Sequence, residues 1–123
     1  PLREAGSRVS IFIAAEQAQV EAAARIGAEV VELHTGAYCD FHNEGRMAER
    51  DAELAKLQNM ARYAHELGLE VHAGHGLTYE TAAQIAAIDG IEELNIGHFL
   101  IGEALFDGLR GVISHMRQVI ACE

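Results

Sequence analysis

The sequence predicts an α/β fold in which short strands alternate with helices around a parallel sheet. Two observations predict it. Four apolar runs of four or five residues each lead into a helical pattern, and three similar junctions precede the later runs: "IGAEVVEL" from Ile26, "LGLEVHAG" from Leu67 and "DGIEELNIG" from Asp89. Each junction puts glycine at a helix end, then an acid, then a strand. Glycine there takes the left-handed conformation that closes a helix and turns the chain quickly. Short links of this kind imply parallel strands with right-handed crossovers.

The first strand covers residues 9–13, "VSIFI", and an Ala-rich helix follows over 16–26, ended by Gly27. A second strand covers 30–33. The stretch 37–46, "AYCDFHNEGR", is a polar loop, either an ordinary surface loop or a lid long enough to fold over the strand ends. A helix over 49–67 sets Leu54, Leu57, Ala61 and Ala64 on one face, with Met60 and Leu67 beside them, and stops at Gly68. The third strand covers 70–73, a shorter helix 79–88, and the fourth strand 93–96. Leu105, Leu109, Val112, Met116 and Ile120 trace the apolar stripe of a last helix. No linker divides the chain, so residues 1–123 form a single domain segment.

Two architectures fit this order: an open doubly wound sheet, or part of a (β/α)8 TIM barrel. Eight units take about 250 residues, whereas 123 residues supply about four. A barrel would therefore be a half-barrel with unpaired edges, needing its missing half or a partner chain. Side-chain parity favours it nonetheless. Successive strand residues face opposite sides, so Val31 and Leu33 oppose Glu32 and His34, Val71 and Ala73 oppose His72, and Leu94 and Ile96 oppose Asn95. A doubly wound sheet needs two apolar faces; a barrel carries polar groups inside its mouth.

Nineteen acidic and nine basic side chains give a formal charge of −10, without the basic cluster that nucleic acid requires. No run approaches the roughly 20 apolar residues of a membrane span and no signal peptide is evident, which makes the cytoplasm the expected location. Cys39 and Cys122 stand far apart, outside any CxxC, and read as reduced thiols. The start at Pro1, without methionine, suggests a piece of something longer.

Three strand ends converge on the side where parallel α/β folds bind ligands: "VVELHTG", "HAGHGLTY" and "ELNIGHFL". Glu32 faces inward and needs hydrogen bonds to stay ionised there; it suits proton transfer or stabilisation of a cationic intermediate, or is a polar residue bonded to a neighbouring strand end. His75 lies between two glycines, so the backbone can approach a ligand while an imidazole exchanges protons near neutrality; the plainer alternative is a turn histidine facing solvent. The N–H groups of Gly76, Gly97 and His98 are placed to converge on an anion beside a helix start, as in the phosphate sites that barrels build after their last strands. A zinc site from His34, His72, His75 and His98 is the competing reading, but H-x-x-H across a strand-to-loop junction is not an established ligand spacing. His42, His65 and His115 read as surface residues.

"ELHTGAY", "AGHGLTYE" and "IEELNIGHFLIGEALFDGL", in this order, resemble the second half of the pyridoxine 5′-phosphate synthase family of vitamin B6 biosynthesis, from about Val9 to the C-terminus. The resemblance implies a TIM barrel that condenses 1-deoxy-D-xylulose 5-phosphate with 3-amino-2-oxopropyl phosphate, releasing phosphate and water. It also implies no metal and no organic cofactor, and an octameric assembly, a tetramer of dimers. Carried over by motif, Glu32 becomes the transition-state stabiliser and His75 the proton donor, while Gly76, Gly97 and His98 bind the amino-ketone phosphate. Two departures stand out: His72 where the family has asparagine, which puts a titratable group at the mouth, and Ala14-Ala15 where it commonly has Asp-Pro, which weakens the helix start by about 1 kcal/mol. The family's first-half bases and arginines have no counterpart, so the chain alone is expected to be inactive. The alternatives to a synthase are a metal-dependent barrel hydrolase or aldolase, and a non-catalytic half-barrel that binds a phosphorylated ligand.

Overall fold

The structure, a computed structural model, describes residues 2–121. The elements run β1 (Ser10–Ile13), α1 (Gln17–Arg25), β2 (Val30–His34), α2 (Gly36–Asn43), α3 (Met47–Glu66), β3 (Glu70–Gly74), α4 (Tyr79–Ala86), β4 (Ile91–Asn95) and α5 (His98–Ala121). The strands form one parallel sheet in the order β1-β2-β3-β4. This sequential order, with a helix after every strand, is half of a TIM barrel; a doubly wound sheet would reverse its strand order.

The two sheet faces differ as parity requires. Val31 and Leu33 of β2 and Val71 and Ala73 of β3 are buried against Val20 and Ala23 of α1, Leu57, Ala61 and Ala64 of α3, and Ile85 of α4. On the other face, Phe12, Glu32, His72 and Glu93 lie in one row across the four strands, with His34, Gly74 and Asn95 in the next row toward the C-terminal ends. Among the described residues, no helix covers that face. Phe12 remains 52% exposed on it.

Three expectations change. Residues 37–46 are not an extended loop: most of them form α2, which buries Tyr38 and Cys39 against the core and packs along α3. Strand β4 begins at Ile91, two residues early, because a bulge between Val71 and His72 skips Glu92 and pairs His72 with Glu93. Helix α5 begins at His98, and Gly108 (φ 73, ψ 147) breaks it into two helical pieces. Of its apolar stripe only Val112 and Met116 are buried; Leu105 is 83% exposed and Leu109 and Ile120 are also open, because α5 packs chiefly on α4 and, among the described residues, leaves its far side uncovered. Among the described residues, no helix is long and apolar enough to cross a membrane. Cys39 is a free, buried thiol whose pKa burial pushes up; Cys122 lies outside the described residues.

Candidate active site

All strands point their C-terminal ends the same way, so the residues that follow them gather at one edge of the sheet. A cleft of about 610 Å³ opens there, lined by Phe12 from β1, Glu32 from β2, the turn His75-Gly76-Leu77-Thr78 after β3, and Asn95 to Phe99 at the end of β4 and start of α5. It contains Glu32, His75, Gly76, Gly97 and His98 together. The structure thus brings every residue expected at the site to one cavity. A larger groove, about 730 Å³, runs along the second piece of α5 between Leu109 and Ala121, but neither a carboxylate nor an imidazole lines it.

Glu32 is partly buried, and Asn95 donates to its Oε2 through Nδ2 at 3.0 Å, which meets the need for a hydrogen bond at this inward position. Gly74 gives the carboxylate room: a Cβ on Gly74 would stand 2.5 Å from Glu32 Oε1 and 2.7 Å from the Asn95 carbonyl. Asn95 thus joins the site through the same strand parity that placed Glu32. Phe12 joins too, its ring 5.0 Å from His34 and 6.3 Å from His75; its inward parity in "VSIFI" was the available signal.

His75 occupies the left-handed region at φ 82, followed by Gly76 at φ 81. Two such residues in succession turn the chain sharply off β3, lifting His75 to the cleft while Leu77 returns to the core. Thr78 then caps α4, its hydroxyl accepting the Glu80 N–H, with Thr81 closing a reciprocal capping box. Helix α2 packs directly beneath this turn, since a Cβ on Gly76 would meet Cys39 Cβ at 3.2 Å. On the opposite wall, α5 starts at His98 with the first-turn bond from Ile101 N–H to the Gly97 carbonyl, so its N-terminal end faces the cleft. Nothing lies within 4 Å of where a Cβ on Gly97 would be, which leaves its main chain approachable.

The remaining inward histidines have other engagements. His34 stacks on His75 with centroids 4.5 Å apart and accepts the Gly36 N–H through Nδ1 at 3.1 Å. His72 lies below the mouth rather than in it. It is 8% exposed, with Nε2 2.7 Å from Glu70 Oε1 and Nδ1 3.5 Å from Glu93 Oε1. That hydrogen bond, together with Arg8, holds the Glu70 carboxyl below its ordinary range. Among the described residues, no three His, Cys, Asp or Glu side chains are arranged to hold a metal ion.

Comparison with known proteins follows the same lines. The family model described as pyridoxal phosphate biosynthesis protein PdxJ matches residues 1–122. Pyridoxine 5′-phosphate synthase of Roseobacter denitrificans is 70% identical over 120 residues, covering 98% of this chain and 48% of that protein. The synthase of Ruegeria pomeroyi is 65% identical over the same shares, and that of Caulobacter vibrioides is 56% identical over 97% of this chain and 47% of its own length. The chain spans about half the length of the curated relatives it matches.

Proposed function

Because this chain belongs to the PdxJ family of pyridoxal phosphate biosynthesis proteins, we propose that it supplies the C-terminal half of a pyridoxine 5′-phosphate synthase active site. The complete barrel condenses 1-deoxy-D-xylulose 5-phosphate with 3-amino-2-oxopropyl phosphate. The observation that carries this reading is the meeting of Glu32, His75, Gly76, Gly97 and His98 in one cleft at the C-terminal edge of the sheet.

Each residue has a chemical task in that reaction. Imine formation, dehydration and loss of phosphate require repeated proton transfers, and an imidazole beside a carboxylate supplies them. His75 is the proton donor, carried into the cleft by its turn. Glu32, oriented by Asn95, stabilises the cationic character of the imine-forming transition state. Gly76, Gly97 and His98 bind the amino-ketone phosphate through main-chain N–H groups, helped by the positive end of the α5 dipole. No cofactor or metal enters this scheme.

The open sheet face supports the rest of the proposal. Two unpaired sheet edges, a half-exposed Phe12 and the exposed Ile101, Leu105 and Phe106 of α5 call for a second set of four βα units, the N-terminal half-barrel. The completed barrels assemble as the octamer expected of the family, in the cytoplasm. The chain alone lacks the wall that would hold the second substrate and is inactive.

His75→Ala in the full-length enzyme tests the assignment. A folded variant slowed about 10²- to 10⁴-fold is the expected result for losing a general acid. A wild-type rate would overturn the role of His75.

A further inference from the structure

The tripeptide His34-Thr35-Gly36, which ends β2 and opens α2, has no part in the scheme above. Thr35 stands at the N-cap of α2, where a threonine hydroxyl ordinarily accepts a main-chain N–H of the first helical turn. Here it makes no such bond. Its fully buried hydroxyl lies instead 2.7 Å from the Gly74 carbonyl oxygen and 2.6 Å from that of His75, its single proton shared between them. The Thr35 N–H also donates to the Gly74 carbonyl at 2.8 Å. Helix α2 forgoes a cap, and the hydroxyl reaches across to the neighbouring turn.

The turn it reaches is the strained one. His75 is the one non-glycine residue with positive φ among the described residues, and an L-residue holds that conformation only where its surroundings enforce it. The flanking residues act on its side chain. His34 stacks on the His75 ring at 4.5 Å and 25° between planes, and its own plane is set by the Gly36 N–H bonded to Nδ1. Gly36 leaves both rings their space: a Cβ there would stand 2.3 Å from His34 Cε1 and 3.1 Å from His75 Cδ2.

We infer that Thr35 and His34 are positioning residues for His75. Thr35 locks the left-handed turn through the carbonyls on either side of the His75 nitrogen, and His34 sets the plane of the imidazole. Together they hold the ring where it meets the substrate, so its orientation is fixed before binding. This rests on His75 being the proton donor proposed above.

The test reads His75 directly, by NMR of the whole isotope-labelled chain. Thr35→Val keeps the shape and removes the hydroxyl; Thr35→Ser keeps the hydroxyl. Thr35→Val is expected to move the His75 three-bond HN–Hα coupling away from its positive-φ value and to displace its ring Cε1–H resonance, while α1 and α3 amides stay at wild-type shifts. Thr35→Ser should restore both. His34→Ala should remove the ring-current shift on His75, and His34→Phe should keep one. An unmoved coupling and ring resonance in Thr35→Val overturns the role of Thr35, and an unmoved ring resonance in His34→Ala overturns that of His34. His34 is partly exposed, so its variant gives a reading even if Thr35→Val fails to fold.

In the complete enzyme, Thr35→Val should lower kcat roughly 10- to 100-fold with KM unchanged and displace the pH–rate profile, as a misplaced general acid does. The two readings fail separately. If His75→Ala keeps the wild-type rate while Thr35→Val still moves the His75 resonance, the catalytic role falls and the positioning role stands. If His75→Ala abolishes turnover while the resonance stays put, the positioning role falls instead.

Discussion

At Gly74 a missing side chain decides where Glu32 sits. The carboxylate oxygen, the Asn95 carbonyl and the Asn95 Cβ all lie within 3.0 Å of where a Cβ would be, so Gly74→Ala forces the strand pair apart or pushes Glu32 away. The expected cost is about 1–3 kcal/mol in denaturant unfolding, as for overpacking elsewhere, with a fall in the complete enzyme's rate beyond what stability explains. Asn95→Ala is milder. Asn95 is exposed, so losing its bond to Glu32 should slow turnover only about 5-fold, close to 1 kcal/mol. Much of this was legible in the sequence: the glycines beside His75 marked a close approach, and inward parity marked Glu32 and Asn95. The orientation of His72 was not, because parity gives a face and not a depth. Only the register, with Glu70 below and Glu93 beside it, shows that this ring is engaged with acids under the mouth.

Helices and strands were legible wherever a period or a closing glycine marked them. Residues 36–43, "GAYCDFHN", carry no apolar stripe, bury little besides Tyr38 and Cys39, and begin on a threonine that does not cap; nothing in that pattern announces α2. The start of β4 was misplaced because a period of two is blind to the extra residue of a bulge. Helix α1 starts without a side-chain cap, and its N-cap is Glu16 rather than Ala14 or Ala15. Glu16, at φ −128 and ψ 134, has a capping backbone but makes no side-chain cap bond. Glu16→Ser should therefore stabilise the chain by about 1 kcal/mol, measured by urea unfolding. The segment ahead of β1 depends on two carboxylates. Glu29 accepts the Val9 N–H at 2.8 Å and pairs with Arg3, while Glu70 bonds His72 and pairs with Arg8. The Val9 N–H foremost, then Arg3, holds the Glu29 carboxyl low, and the His72 bond foremost, then Arg8, holds Glu70 low. Groups with depressed pKa values contribute stability above the ordinary carboxylate range and lose it as pH falls through their folded values. Melting temperature should thus drop on acidification below that range, and Glu29→Gln with Glu70→Gln should flatten the drop.

Over the whole molecule the polar inner face, the unpaired edges and the bare flank of α5 belong together. A stand-alone sheet would bury Phe12, and a stand-alone helix would not leave Leu105 and Phe106 more than 80% exposed. The strand count and the parity pointed to this half-barrel; the exposed flank of α5 did not emerge from sequence, since a helical stripe shows an apolar face but not whether anything lies against it. In the function proposed above, the chain acts only together with the other half of its barrel. Its cleft holds the candidate acid, carboxylate and phosphate contacts, and in that proposal the N-terminal half-barrel supplies the opposite wall. Mixing the chain with the corresponding N-terminal half-barrel and both substrates is the most direct measurement. Pyridoxine 5′-phosphate should form in the mixture, not with either half alone, and not when the chain carries His75→Ala. A properly associated mixture that forms no product, or forms it equally with His75→Ala, would contradict the account.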